Sequence, residues 1–362
     1  MSADPHSRTT VLVTGGAGFI GSAVVRHLLA QPDVTVVNLD ALTYAANPMT
    51  VDELDRSDRH HFVHADIRDS AALTDAFRTH RPDLVIHLAA ESHVDRSIDR
   101  PAAFLETNVD GTYRLLEAAT RHWSDLGEGP RERFRFVHVS TDEVYGALGP
   151  DGVFTEDSPY RPNSPYAATK AASDHLARAW WTTFGLPTIV TNASNNYGPY
   201  QFPEKLIPRA ITRALHGESI EVYGRGENVR DWLHVNDHAA ALWRVATTGR
   251  PGETYNVGST NELSNIDLVR RLCRALDAVV PEKAPHEDLI VFVKDRPGHD
   301  FRYAIDNAKI ARELDWRPVL GFEEGLHETM RWYLENRDWW GAIRDNSYRG
   351  ERLGLTSACE AD

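Results

Sequence analysis

The run Thr9-Thr-Val-Leu-Val-Thr14 is rich in β-branched residues and leads straight into Gly15-Gly-Ala-Gly-Phe-Ile-Gly21. The stretch that follows, Ser22 to Leu29, carries Val24, Val25, Leu28 and Leu29 at helical spacing. A strand that turns through glycines into a helix leaves few folds open. Gly16, Gly18 and Gly21 fit the spacing G-x-G-x-x-G, and a second strand-like run, Val34-Thr-Val-Val-Asn-Leu-Asp40, comes next. This is the context of a dinucleotide-binding βαβ unit, in which the glycines let a pyrophosphate approach the helix N-terminus. Asp40 lies about 20 residues beyond the glycines, where a carboxylate accepts hydrogen bonds from a ribose diol. Ala41 and Leu42 supply no arginine for a 2′-phosphate, which favours NAD over NADP.

The alternation continues. His61 to Asp66 reads as a strand and Ser70 to His80 as a helix. Asp83 to Ala90 again reads as a strand, followed by a helical pattern from about Pro101 to His122 and a strand-like Phe134 to Val139. Strands alternating with helices predict an α/β fold with a doubly wound parallel sheet. Asp66 either reaches an adenine or is a plain loop aspartate; Ala89 and Ala90 are small either for a cofactor or for tight packing. After Tyr197 loops and short strands replace the alternation, which predicts a smaller C-terminal domain. The expected division is a cofactor domain over 9–196, with about 233–258 as a candidate return to it, and a mainly substrate-binding domain over 197–340. Residues 1–8 and 341–362 are expected to be flexible termini. Leu326, Met330, Tyr333 and Leu334 recur at helical spacing and read as packing.

Composition excludes several classes. A formal charge of −14 argues against a general binder of nucleic acid or anionic membrane. No apolar stretch approaches the length needed to span a bilayer, and Met1 to Arg8 lacks the apolar core of a signal peptide. Cys273 and Cys359 give neither a disulfide framework nor metal-ligand spacing. A cytoplasmic enzyme without a metal is the expectation.

The chemistry concentrates in Ser140-Thr-Asp-Glu-Val-Tyr-Gly146 and Tyr166-Ala-Ala-Thr-Lys170. The first follows a strand, so Thr141, Asp142 and Glu143 fall at a carboxyl end, where ligands bind in open α/β sheets. Tyr166 and Lys170 share one helix face. A tyrosine with pKa near ~10 acts as a base near neutrality only if its phenolate is stabilised, and a nearby ammonium does that. Behind a dinucleotide fingerprint, the pair completes an alcohol-oxidation site. Adjacent Asp142 and Glu143 read either as a solvated turn or as an acid and a base with separated pKa values.

These segments, with Leu88 to Ser97, Ser194 to Pro208, Arg230 to Leu233, Asp295 to Asp300 and Arg302 to Asp306, closely resemble the dTDP-glucose 4,6-dehydratases. These are extended short-chain dehydrogenase/reductases, and the resemblance runs from about Thr10 to Tyr333. It implies a Rossmann-like fold with a nucleotide-sugar domain, bound NAD and a homodimer paired through helices like Pro101 to His122 and Ser164 to Phe184. It implies that Tyr166, its pKa lowered by Lys170, deprotonates the sugar 4-hydroxyl while Thr141 hydrogen-bonds that oxygen. Glu143 then removes the carbon-5 proton and Asp142, its pKa raised by burial and by Glu143, protonates the departing 6-hydroxyl. Hydride passes from carbon 4 to NAD and back to carbon 6.

For the cofactor the resemblance implies Gly15, Gly18, Phe19, Ile20, Gly21, Asp40, Asp66, Ile67 and Ala89, besides Tyr166 and Lys170. For the substrate it implies Ser92, Asn195, Asn196, Lys205, Leu206, Arg209, Tyr223, Arg230, Asn265, Arg296 and His299. Ala41, Ala46, His234, Asn236 and Phe301 depart from the usual family pattern, and the link from Gly146 to Tyr166 is short. Ala41 bears on NAD retention and Phe301 on the diphosphate or base contacts. The rival expectations are a dehydratase of another nucleotide hexose, a 4-epimerase or decarboxylase, and an idle NAD-binding scaffold. The intact Thr141, Asp142, Glu143, Tyr166 and Lys170 speak against the last three.

Overall fold

The computed structural model describes residues 8–346 and Leu353. Seven parallel strands form its main sheet: β1 Thr9–Thr14, β2 Val34–Asp40, β3 His60–His64, β4 Leu84–His87, β5 Arg135–Thr141, β6 Thr188–Ala193 and β10 Thr254–Val257. They lie in the order β10-β6-β5-β4-β1-β2-β3, so the order reverses at β1, between β2 and β4. Val11 pairs with Val36 on one side and Leu84 on the other. The sheet is Rossmann-like, and its switch point is where such sheets bind ligands.

Strand periodicity sorts the core onto two faces. Val11, Val13, Val36, Ile86 and Val137 pack with Val24, Val25 and Leu28 of the Phe19–Leu29 helix and Leu242 and Val245 of the Val235–Thr248 helix. Leu12, Val37, Val85 and Phe136 turn the other way, against Leu73 and Phe77, Leu115 and Leu116, and Trp180. These come from the helices Ser70–His80, Thr112–Ser124 and Pro165–Phe184. Near-continuous apolar strands are what a sheet covered on both faces requires.

The second half holds more helix than its sequence suggests. Helices Leu206–His216, Asn265–Val279 and Phe322–Glu335 bury Ile211, Leu272, Leu276, Leu326 and Met330 in a separate core around Trp232. Their amphipathic periodicity is real, but loops rich in Gly and Pro break it into short pieces. Two small sheets accompany them. One has the order β11-β9-β7, from Glu262–Ser264, Val229–His234 and Asn195–Tyr197; the other pairs β8 Ile220–Tyr223 with β12 Ile290–Val293. The chain returns to the main sheet through β9, the Val235–Thr248 helix and β10, and Ile310, Leu314 and Trp316 join the same core. Of the terminal stretch from 341, residues 341–346 end the Arg337–Asn346 helix with Ile343 buried. The rest, like residues 1–7, lies outside the described residues except for Leu353.

Two local features position the site. The long helix that holds Tyr166 and Lys170 starts where Ser164 accepts from Ala167 N at 3.1 Å and Pro165 takes the first helical position. It stops at Gly185, with φ +76°. A serine cap of this kind stabilises by about 1 kcal/mol, and proline loses no hydrogen bond there. The helical stretch from Pro101 to Ser124 widens into a π turn over Leu105–Gly111. The buried Asn108 in that turn accepts from Glu91 N (2.8 Å) and donates to Glu91 O and Thr169 Oγ1 (both 3.0 Å). It ties the loop after β4 to the Tyr166 helix.

Candidate active site

The carboxyl ends of β1, β2, β4, β5 and β6 open on one cavity of about 430 Å³, the size of a small-molecule site. Gly15, Gly18, Phe19, Ile20, Gly21, Asp40, Asp66, Ile67 and Ala89 all line it. Gly15 has φ +75°, and a Cβ there would sit 2.7 Å from Ala89 N, so the turn itself demands glycine. Gly18 differs. A Cβ there would meet only Gly15 O, at 3.4 Å, so the protein leaves that space to whatever the cavity holds.

The Phe19–Leu29 helix begins at Gly18 without a side-chain cap. Its first-turn N–H groups are thus available to a phosphate. Asp40 accepts from Ala17 N (2.9 Å) and Leu42 N (2.8 Å), which pins the glycine turn and leaves carboxylate lone pairs for a diol. These residues fit a dinucleotide. Ala41 and Ala46 also line the cavity, and Asp66 is held by the Arg68 guanidinium at 2.7 Å.

The catalytic candidates sit where β5 ends. Thr141 Oγ1 accepts from Glu143 N at 3.3 Å and starts a 3-10 turn over Asp142–Tyr145. Thr141 also donates to Asp142 Oδ1 at 3.3 Å, whereas Asp142 Oδ2 has no hydrogen-bond partner among the described residues. Asp142 is 1% exposed; Glu143 is half-buried on the cavity wall.

The two carboxyls feel different fields. Burial, then Glu143 and Asp231, hold Asp142 well above the usual carboxylate range, with Arg230 opposing. Burial also raises Glu143, but Arg296, Arg230 and Lys205 pull it back. Neighbours in sequence thus sit in different fields, the condition under which adjacent carboxyls divide acid and base roles.

Tyr166 and Lys170 both reach the cavity, but not as their spacing predicts. The Lys170 ammonium donates to Val139 O at 2.8 Å. Burial brings it down to about 8, opposed by Asp174. The Tyr166 phenol is pushed up, by burial and then by Glu143 and Asp142, and only the Thr141 hydroxyl acts the other way. The net shift of the Tyr166 phenol is therefore upward, where a lowering by Lys170 was expected. One helical turn brings Lys170 to the same face, yet a strand carbonyl takes its ammonium, while two carboxyls flank the phenol.

The substrate candidates divide. Ser92, Asn195, Asn196 and Lys205 line the cavity, and Lys205 Nζ donates to Ser92 O at 2.9 Å. Asn196 Nδ2 donates to Ser194 O (2.9 Å), while its Oδ1 meets His238 Nδ1 (2.9 Å). Arg230 and Arg296 stand behind the wall, acting on Glu143 through their charge. Arg230 donates to Asp300 O at 2.9 Å and lies over the Tyr303 ring; Arg296 pairs with Asp95 at 2.8 Å.

Leu206, Arg209, Tyr223, Asn265 and His299 do not line the cavity. Internal partners hold three of them: Arg209 binds Glu221 (2.8 Å), Tyr223 donates to Asp95 (3.0 Å) and His299 meets Asp295 (2.7 Å). The departure at Phe301 enters through its carbonyl, which accepts from Val229 N and Arg230, while its ring is exposed.

Sequence reasoning missed Arg68, Glu91, Gln201, Phe202, Glu204 and His238, all on the wall. Gln201 to Glu204 lie inside a motif already singled out, so position next to Lys205 was a usable signal. His238 had none beyond helix period. Among the described residues no group of three His, Cys, Asp or Glu is placed to hold a metal, and no helix is long and apolar enough to cross a membrane.

The family model described as GDP-mannose 4,6 dehydratase matches residues 12–329. A dTDP-glucose 4,6-dehydratase of Escherichia coli is 56% identical over 358 residues, covering 95% of this chain and 99% of that protein. One from Neisseria meningitidis serogroup B is 56% identical over 349 residues, covering 95% and 98%. The crystal structure of DesIV, the dTDP-glucose 4,6-dehydratase of Streptomyces venezuelae, with NAD and TYD bound, matches with TM-score 0.85 and 47% identity. The match covers 92% of this chain and all (100%) of that one. The UDP-glucose 4-epimerase of Thermus thermophilus, complexed with NAD, matches with TM-score 0.80 and 30% identity over 91% and 100% of the two chains.

Proposed function

This chain belongs to the GDP-mannose 4,6 dehydratase family, and on that premise we propose that it is a NAD-dependent dTDP-glucose 4,6-dehydratase. It converts dTDP-glucose to dTDP-4-keto-6-deoxyglucose with loss of water. One observation carries this reading among the activities that share the fold. A buried Asp142 is held well above the usual carboxylate range beside a Glu143 whose own rise Arg296, Arg230 and Lys205 oppose. A 4-epimerase expels nothing from carbon 6 and has no use for such an acid.

NAD, when bound along Gly15 to Gly21, Asp40, Asp66, Ile67 and Ala89, supplies the acceptor for the carbon-4 hydride and its return to carbon 6. Tyr166 takes the proton of the 4-hydroxyl, with Thr141 hydrogen-bonding that oxygen and the Lys170 charge on the same cavity wall. The ketone at carbon 4 acidifies the proton on carbon 5, which Glu143 removes. Asp142 gives its proton to the 6-hydroxyl, which leaves as water. Glu143 then returns a proton to carbon 5. Tyr166 ends with one proton more and Asp142 with one fewer, so one proton passes from phenol to carboxylate before the next turnover. Asn195, Asn196, Ser92 and Lys205 hold the nucleotide sugar from the cavity wall, and the Arg230 and Arg296 charges favour its diphosphate.

We further propose that residues 9–196, with 233–258, form the cofactor domain and that 197–340 mainly form the substrate domain. The working unit proposed is a cytoplasmic homodimer. What supports pairing is an apolar strip on two adjacent helical stretches: Leu105 (57% exposed), Tyr113 (42%), Trp181 (39%) and Phe184 (52%).

Proton NMR of dTDP-glucose incubated with the purified protein, without added reductant, tests the activity. A new methyl doublet and loss of the carbon-4 proton are expected. A galactose-type anomeric pattern without a methyl would make the protein an epimerase.

A further inference from the structure

Beneath the catalytic turn lies a buried polar cluster that the reaction above does not use. Asp174, one turn after Lys170 in the Pro165–Phe184 helix, is 0% exposed. Its Oδ2 accepts from Ser140 Oγ (2.8 Å), Tyr160 OH (2.9 Å) and Asn192 Nδ2 (3.4 Å), and its Oδ1 lies 3.1 Å from His138 Nε2. Asn192 also donates to Thr141 O at 3.1 Å, so the cluster grips the catalytic turn itself. A carboxylate this far from water costs several kcal/mol unless a charge answers it. The donors around it hydrogen-bond it but bring no charge.

We propose that Asp174 is a positioning residue for the oxidation step: its carboxylate, locked by Ser140, Tyr160 and Asn192, holds the Lys170 ammonium charged on the cavity wall that Lys170 shares with Tyr166. The proposal rests on the dehydratase reading above. The surrounding groups leave Asp174 as the counter-charge. His87 and His138, which face Lys170 from β4 and β5, have imidazoles driven down by burial and then by charge, that of Lys170 in both; Asp174 raises His138, but the net shift is still downward. Tyr145 and Tyr160, which face Asp174, have phenols pushed up by burial. All four are neutral near pH 7. Asp174 is the charge that opposes the burial bringing the ammonium down to about 8. Asp174 is one turn from Lys170 and two from Tyr166, so it favours the ammonium more than it disfavours a phenolate. Without it Lys170 loses its proton nearer neutrality, and a neutral amine gives the phenolate nothing.

The test compares pH profiles of kcat for the holoenzyme, Asp174→Asn and Asp174→Glu, each with dTDP-glucose protonated or deuterated at carbon 4. In Asp174→Asn the alkaline limb should move down by about one to two pH units, as for a unit charge ~6 Å away at effective dielectric ~20. The carbon-4 isotope effect should rise as oxidation becomes limiting. Asp174→Glu, which keeps the charge, should return the limb towards its wild-type position even where kcat falls. Asp174→Ser makes the same comparison if the asparagine variant does not fold. An unmoved limb and isotope effect in Asp174→Asn, or an equal shift in Asp174→Glu, overturns the role of Asp174. Absence of 4-keto product from the wild-type protein would overturn the dehydratase reading instead.

Discussion

Replacing Asp142 by asparagine removes a proton and almost nothing else. The side chain is 1% exposed, its Oδ1 takes the Thr141 hydroxyl at 3.3 Å, and asparagine fills the same volume. Burial and the Glu143 charge hold the native carboxyl well above the usual carboxylate range, toward its neutral form. Asparagine is also neutral but has no proton to give a departing hydroxyl. A general acid contributes roughly 10²–10⁴ in rate, so the elimination barrier should rise by about 3–5 kcal/mol.

Stability should respond in the opposite sense. A carboxyl whose pKa is higher folded than unfolded contributes stability below its unfolded pKa and loses it as pH rises toward the folded value. Asparagine carries no such loss, so the melting temperature of Asp142→Asn relative to wild type should grow as pH rises above about 4. The assay is NMR in heavy water. Deuterium should still wash into carbon 5 through Glu143 while methyl formation nearly stops. Methyl formation at the wild-type rate would refute the acid role, and a stability difference that shrinks with pH would refute the raised pKa.

Arg296→Gln removes a charge that lowers Glu143, so the base stays protonated to higher pH and the acid limb of kcat should move upward. It also strips Asp95 of its 2.8 Å partner, at a stability cost of about 3 kcal/mol read by thermal or denaturant unfolding. Gly15→Ala meets a backbone atom at 2.7 Å with φ +75° and should lower stability by about 1–3 kcal/mol. Gly18→Ala meets nothing closer than 3.4 Å; NAD titration should show weaker binding with the cofactor-free melting temperature nearly unchanged. Glutamates at Leu105 and Trp181 should turn a sedimenting dimer into a monomer; a wild-type protein that sediments as a monomer would refute the pairing.

What was legible in the sequence was local. The glycine turn, Asp40 at the end of β2 and the one-turn spacing of Tyr166 and Lys170 are written in short stretches whose geometry follows from strand and helix periods. The field around Asp142 and Glu143 was legible only in part, because its sources, Arg230, Asp231 and Arg296, arrive from far along the chain. The π turn at Leu105–Gly111 left no trace, since Asn108 reads as an ordinary polar helix residue until Glu91 and Thr169 are brought to it. Asp174 was hidden for the same reason. In Ala171-Ala-Ser-Asp-His175 it reads as solvated helix surface, yet it is 0% exposed. The internal acids that hold Arg209, Tyr223 and His299, namely Glu221, Asp95 and Asp295, are likewise not announced by the motifs those residues belong to.

Fold alone does not choose between dehydration and epimerisation. The choice here lies in how two halves of the chain meet at one turn. The Rossmann-like half presents Thr141, Asp142 and Glu143 from β5 and places Tyr166 and Lys170 opposite them. The second half supplies Arg230, Asp231 and Arg296, which set adjacent carboxyls to different tasks. Detaching that half would therefore do more than loosen the nucleotide: it would strip Glu143 of the Arg296 and Arg230 charges that pull it back. The oxidation chemistry has the opposite dependence, because Lys170 answers to Asp174 and Val139 within the first half. Changes at Arg296 should thus act on the acid limb and changes at Asp174 on the alkaline limb. With no shared hydrogen-bond partner between them, their effects should be close to additive.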